Sequence, residues 1–220
     1  MMAYRLKKIF GSGVEKRTIA LFEEIEKGRD CDQDKCKRLI AKGVDINATD
    51  DVGFTALHKA SCRDLLDVAR ALLDAGADID AKNKNNNRTP LQMCLVYGKN
   101  LYVDKWDKES PVAPLLVERG ASLNVKDGDG WTPLMHAVNK GWRVAAKKMI
   151  AHGADIEIKN KRGFGVRALA FEIDDEGFIN LVDQAPGIRA EYLEKEIRAA
   201  AEKGTRTKRR IIRRSPAPGG

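Results

Sequence analysis

The sequence predicts an all-α solenoid of stacked helix-turn-helix units with hairpin-like turns and a C-terminal capping helix. Three observations carry this. Four glycines (Gly43, Gly76, Gly120, Gly153) each follow an apolar pair and open the phrases GVDIN, GADID, GASLN and GADIE, at intervals of 33, 44 and 33 residues. A threonine then opens an apolar phrase 12, 13 and 12 residues after the first three glycines: Thr55, Thr89 and Thr132. Aromatics are only 6% of a chain that is 43% hydrophobic, which suits small-residue helix packing. Repetition at this period means one unit stacked on itself, each burying its apolar face on its neighbours.

The elements follow in order. The first unit has no threonine opening; IALFEEIEKG (19–28) and KCKRLIAKG (35–43) read as its two helices with a slightly long joint, as in a terminal unit. In GFTALHKA (53–60), NRTPLQMC (87–94) and GWTPLMHA (130–137) the threonine caps a helix, and in the last two a proline takes its first position. Leu134 and Ala137 fall on one face of that helix. The second helices end in Leu39-Ile40, Leu72-Leu73, Leu116-Val117 and Met149-Ile150, and the glycine supplies the left-handed turn that stops each. The last unit reads GFGVRALA (163–170), with Gly165, Val166 and Arg167 in the Thr-Pro-Leu slots, so its first helix starts less firmly; FINLV (178–182) begins its second. A closing helix over 188–204 has apolar residues at 188, 192, 193 and 197, a face suited to covering the end of the stack.

Thr-Pro-Leu coupled at fixed offset to the Gly-Ala-Asp phrase resembles the ankyrin repeat, over residues 17–185. The expected organisation is a basic segment at 1–16, units at about 17–48, 49–81, 82–125, 126–158 and 159–185, a capping helix at 186–203 and a disordered basic tail at 204–220. The resemblance implies a protein-protein interaction module or adaptor whose partner lies on the concave side formed by hairpin tips and first helices. The residue before each threonine slot projects from a tip: Phe54, Arg88, Trp131 and Phe164. Aromatics and arginine dominate binding hot spots, although tip aromatics also pack on one another and stiffen such arrays. Arg63, Tyr97, Asn139 and Lys140 are the first-helix candidates beside this ladder.

Ten extra residues separate Thr89 from Gly120, placed around 97–111. Leu101, Tyr102, Val103 and Trp106 either fold back on the stack or make a binding loop with Trp106 as anchor. His58 stands in the repeat's usual histidine slot, where the resemblance implies a hydrogen-bonding bracket between units; His136 comes one residue later. No histidine lies beside a nucleophile or at metal spacing, so no enzyme activity, cofactor or metal is expected. GFGVRA (163–168) matches a dinucleotide fingerprint but has no preceding strand, and DGDG (127–130) lacks the ligands of a calcium loop. Cys31, Cys36, Cys62 and Cys94 show no paired or zinc-type spacing and read as buried or incidental thiols.

The formal charge of +8 sits at the ends. After Glu202 come seven cations and no acid, among them Lys208, Arg209, Arg210, Arg213 and Arg214. This tail is the alternative functional element: a salt-sensitive contact for nucleic acid or another acidic surface, such as anionic membrane. No run of 18 apolar residues spans a membrane, and MMAYRLKKIF is no export signal. A monomer in the cytoplasm is expected, or in a nucleus if the chain acts in, or is delivered into, a eukaryotic cell.

Overall fold

The computed structural model describes residues 13–98, 110–195 and 197–198. Ten α-helices form five antiparallel pairs among them: α1 (Gly13–Glu26) with α2 (Gln33–Ala41), α3 (Ala56–Cys62) with α4 (Leu66–Asp74), α5 (Pro90–Tyr97) with α6 (Val112–Glu118), α7 (Pro133–Asn139) with α8 (Arg143–Ala151), and α9 (Val166–Glu172) with α10 (Glu176–Asp183). First helices pack in the series α1, α3, α5, α7, α9, and second helices in the series α2, α4, α6, α8, giving two layers of one solenoid. No extended strand accompanies them among the described residues; one isolated bridge joins Thr49 and Thr55.

The threonines cap as their spacing predicts. Thr55, Thr89 and Thr132 accept from the backbone N–H of His58, Gln92 and Met135, and those three side chains reach back to the cap N–H. Gly165 holds the same extended backbone but offers no side-chain cap to α9. Ala60, Cys94, Ala137 and Ala170 each lie five residues past the cap and are fully buried, so the first helices approach closely. Leu72, Leu116 and Met149 seal the second layer. Behind them, Ala77, Ala121 and Ala154 donate backbone N–H bonds to the carbonyls of Leu72, Leu116 and Met149, closing a Schellman turn around each left-handed glycine.

Four hairpin tips project from the stack, each built on one buried Asp or Asn. Asp50 Oδ1 accepts from Val52 and Phe54, Asn83 from Asn86 and Arg88, Asp127 from Asp129 and Trp131, and Asn160 from Arg162 and Phe164. Gly53, Gly130 and Gly163 supply a left-handed residue two before the cap, and Asn87 (φ 53°) supplies it in the tip that is one residue longer. Neighbouring tips join backbone to backbone: Lys84 donates to Val52, Gly128 to Asn86 and Lys161 to Asp129.

At the ends, side-chain contacts tie the terminal helices to the stack. α1, described from Gly13, is tied to the first glycine turn: Thr18 accepts from Asp45 N–H and Arg17 donates to the Gly43 carbonyl. The closing helix starts at 185. Ala185 and Ile188 pack on the core and Tyr192 packs on His152 (ring centroids 4.5 Å), but Leu193 and Ile197 stay 48% and 69% exposed. The tail and most of the 97–111 insertion, including Trp106, lie outside the described residues.

Candidate functional site

Seven of the nine predicted surface residues line two concavities. The larger, ≈ 620 Å³, is lined by Phe54, Arg63 and Tyr97, with Asn85 and Asn86 from the second tip and residues 26–30 from the first unit. The smaller, ≈ 300 Å³, brings together Arg88, Trp131, Asn139 and Lys140 with Val96, Asp129 and His136. Phe164 lines neither; it packs on the core beneath Arg162, whose guanidinium sits 4.8 Å from its ring.

An ion-pair cluster borders the first concavity through Glu26 and Arg63. Lys59 is almost fully buried and its ammonium lies 2.6 Å from Glu26 and 2.8 Å from Asp50. The same ammonium stands over the Phe22 and Phe54 rings at 5.6 and 5.7 Å. Arg63 pairs with the other oxygen of Glu26. Glu26 thus binds the end of α1 to α3, and Phe54 rests on the resulting cation. Tyr97 remains 49% exposed at the rim.

The second concavity is anchored on Asp127, whose side chain is inaccessible to solvent. Arg88 Nε and His136 Nε2 each lie 2.9 Å from its Oδ2, and Trp131 N–H bonds its Oδ1. Burial opposes ionisation of Asp127, but these donors prevail and hold the carboxyl well below the usual range. Burial lowers the pKa of His136, against the pull of Asp127. Trp131 stacks on His136 with ring centroids 5.2 Å apart. Arg88 and Trp131 are therefore committed partly to the tip itself, while Asn139 is exposed and Lys140 half-buried at the surface.

Bonds between units complete the platform. His58 Nε2 lies 3.0 Å from the Arg88 carbonyl, and burial lowers its pKa despite that acceptor. Gln92 takes over this bracket in the next unit, donating to the Trp131 and Val125 carbonyls. This repeated cap-and-bracket geometry identifies the fold family.

The chain belongs to the ankyrin-repeat family. The family model described as ankyrin repeats (3 copies) matches residues 21–105, and the single ankyrin repeat model matches 129–161. A putative ankyrin repeat protein of Rickettsia bellii (strain RML369-C) is 30% identical over 163 residues, covering 73% of this chain and 44% of that protein. The neurogenic locus Notch protein of Drosophila melanogaster is 34% identical over 135 residues, 61% of this chain and 5% of its own length. Mouse protein phosphatase 1 regulatory subunit 12A is 29% identical over 143 residues, 65% of this chain and 12% of its length. The ankyrin chain thus spans less than half of each relative. Ankyrin repeats are an interaction fold, and what these whole proteins do is not carried over with the repeats.

Sequence reasoning did not find the contribution of the first unit. Glu26, Lys27, Gly28, Arg29 and Asp30 form one wall of the larger concavity. The only signal was the long joint between the first two helices, which the structure folds into a 3-10 turn at Gly28–Asp30. Among the described residues no three His, Cys, Asp or Glu side chains gather to share a metal, and no helix is long and apolar enough to cross a membrane.

Proposed function

We propose that this ankyrin-repeat chain is an adaptor that binds a protein partner along its concave face, through the two concavities around Phe54, Arg63 and Tyr97 and around Trp131, Asn139 and Lys140. The observation that carries this reading is their geometry. Side chains from successive units, separated in sequence by up to about 70 positions, converge on each of two hollows whose lining includes ion-paired residues. A preformed surface with aromatic and charged side chains at its rim binds with little ordering cost. A cytoplasmic location and a monomeric state belong to the same proposal; four free thiols fit a reducing compartment.

Tyr97→Ala is the clean test, because Tyr97 is 49% exposed and lies outside the hydrophobic core of the described residues. With a partner captured from cell extract and identified by mass spectrometry, this change should weaken affinity by about 2 kcal/mol, roughly thirtyfold, with helicity unchanged. Equal affinity for Tyr97→Ala and for an Asn139→Ala, Lys140→Ala double variant would remove the concave face from consideration.

A second reading rests on the seven cations and no acid after Glu202. In it the tail contacts nucleic acid or another acidic surface. Removing residues 203–214 should then abolish a salt-sensitive interaction that Tyr97→Ala leaves intact.

A further inference from the structure

Cys31 and Cys36 read in sequence as buried or incidental thiols, yet their Sγ atoms lie 3.6 Å apart. Chain geometry at the joint between the first two helices causes this. Cys31 ends the 3-10 turn Gly28–Asp30 in an extended conformation, Asp32 caps α2, and Cys36 follows in its first turn. Cys36 is fully buried in the core, whereas Cys31 is half-buried and open to solvent on one side. Neither sulfur belongs to the concave surface, but the turn that Cys31 terminates does: residues 26–30 line the larger hollow.

We propose that Cys31 and Cys36 form a reversible intramolecular disulfide by exchange with a small-molecule disulfide, and that the bond repositions the wall of the concave groove at residues 26–30. The second half rests on the concave-face reading above; the first does not. The exchange runs in two steps. The Cys31 thiolate attacks one sulfur of the oxidant, forming a mixed disulfide and releasing one thiolate. Cys36 then loses its proton to that thiolate, attacks Cys31 Sγ, and releases the second half of the oxidant. Two protein thiols are oxidised and one small disulfide is reduced to two thiols.

Bond formation draws the sulfurs together by about 1.5 Å, to the disulfide length of about 2.05 Å. Cys36 is held by α2 and the core, so Cys31 and the 3-10 turn take up the movement. Burial raises the Cys31 thiol and pushes that of Cys36 up to about 12, so both sulfurs rest protonated and the exchange is slow. A bond of this kind in a reducing compartment is transient rather than structural.

The test incubates the full chain with excess oxidised glutathione, then quenches, alkylates under denaturing conditions and maps peptides by mass spectrometry. Two of the four thiols should disappear, the mass should fall by about 2 Da, and one peptide should link Cys31 to Cys36, all reversed by reductant. The Cys62→Ser variant should behave identically and Cys31→Ser should lose the link. Retention of all four thiols, or arrest at a glutathione adduct on Cys31, would overturn the disulfide. Amide hydrogen exchange of residues 26–30, compared before and after oxidation, tests the groove wall; unchanged exchange overturns that half. Both readouts are independent of partner capture, so unchanged affinity in Tyr97→Ala and in the Asn139→Ala, Lys140→Ala double variant would sink the binding surface and leave the disulfide standing.

Discussion

Arg88, in the second hairpin tip, donates from Nε to Oδ2 of Asp127 in the third tip at 2.9 Å, and only 13% of the Arg88 side chain is exposed. This bond makes one tip part of the foundation of the next. Asp127 also anchors its own tip through two backbone N–H groups and receives His136. Replacing Asp127 by alanine strands a buried guanidinium and two backbone donors. The loss in urea unfolding should be about 3 kcal/mol. Arg88→Ala should lose less, because His136 and the backbone N–H groups still satisfy the carboxylate.

A second relationship repeats along the glycine turns. Asn47 accepts from Asp78 N–H, Asp80 from Ser122 N–H and Asn124 from Asp155 N–H, at 2.8 to 2.9 Å. Each acceptor lies four residues after its glycine and each donor two residues after the next. Asn47→Ala and Asn124→Ala should each cost about 1 kcal/mol in chemical denaturation, and the two losses should add because the sites are far apart.

The uncapped helix α9 offers a gain. Gly165 has φ −88° and ψ 177°, close to the φ −85° and ψ 162° of Thr132. A Cβ there would meet only the Ile158 and Ile156 carbonyls at 3.6 and 3.8 Å, ordinary contact. Gly165→Thr should therefore raise stability by about 0.5–1 kcal/mol, from the new cap and a stiffer unfolded chain. A lower thermal midpoint would show that the fourth tip is more constrained than its backbone indicates.

Gly130→Ala should do the reverse. Its φ is 81° and an added Cβ would stand 2.8 Å from Lys161 N, whereas Gly76, at φ 86°, has open space. Gly76→Ala should cost about 1 kcal/mol for backbone strain alone, and Gly130→Ala more, with loss of the bond between neighbouring tips.

The pH dependence has two arms of opposite sign. Hydrogen bonds from Lys27 and Lys35 pull Glu24 from 4.5 to about 2, so its stabilisation is complete above pH 4.5 and fades as pH falls towards 2. Burial raises Asp64 from 3.8 to about 6, against a Ser110 hydrogen bond. Its contribution is complete below pH 3.8 and is lost as pH rises through 6. Asp64 sits at φ 55°, which asparagine tolerates. Asp64→Asn should raise the thermal midpoint at pH 7.5 and change it little at pH 3.5; equal shifts at both would show that the charge is not the cause.

Much of the scaffold was legible because its determinants are local. Thr132 caps α7 with its own hydroxyl, and Gly76 ends α4 by its own backbone freedom, so spacing alone located them. The tip anchors were less visible. Asp50, Asn83, Asp127 and Asn160 alternate between two residue types, and Asn83 is displaced by the extra residue at Asn87, which hides a common role. The surface was legible only in part. The slot before each cap position is half-buried, and what each side chain is free to do depends on its neighbours: Phe54 rests on Lys59, Arg88 serves Asp127, and Phe164 packs beneath Arg162.

The sequence by itself determined the repeat: which residues cap, which turn, and which faces must be buried against the next unit. Those choices are made within a few residues of chain and leave a periodic trace. Tertiary structure alone decided the inter-unit bonds, the first-unit wall at residues 26–30 and the meeting of Cys31 with Cys36. Each depends on where folded segments come to lie in space, through burial and contacts that no spacing records.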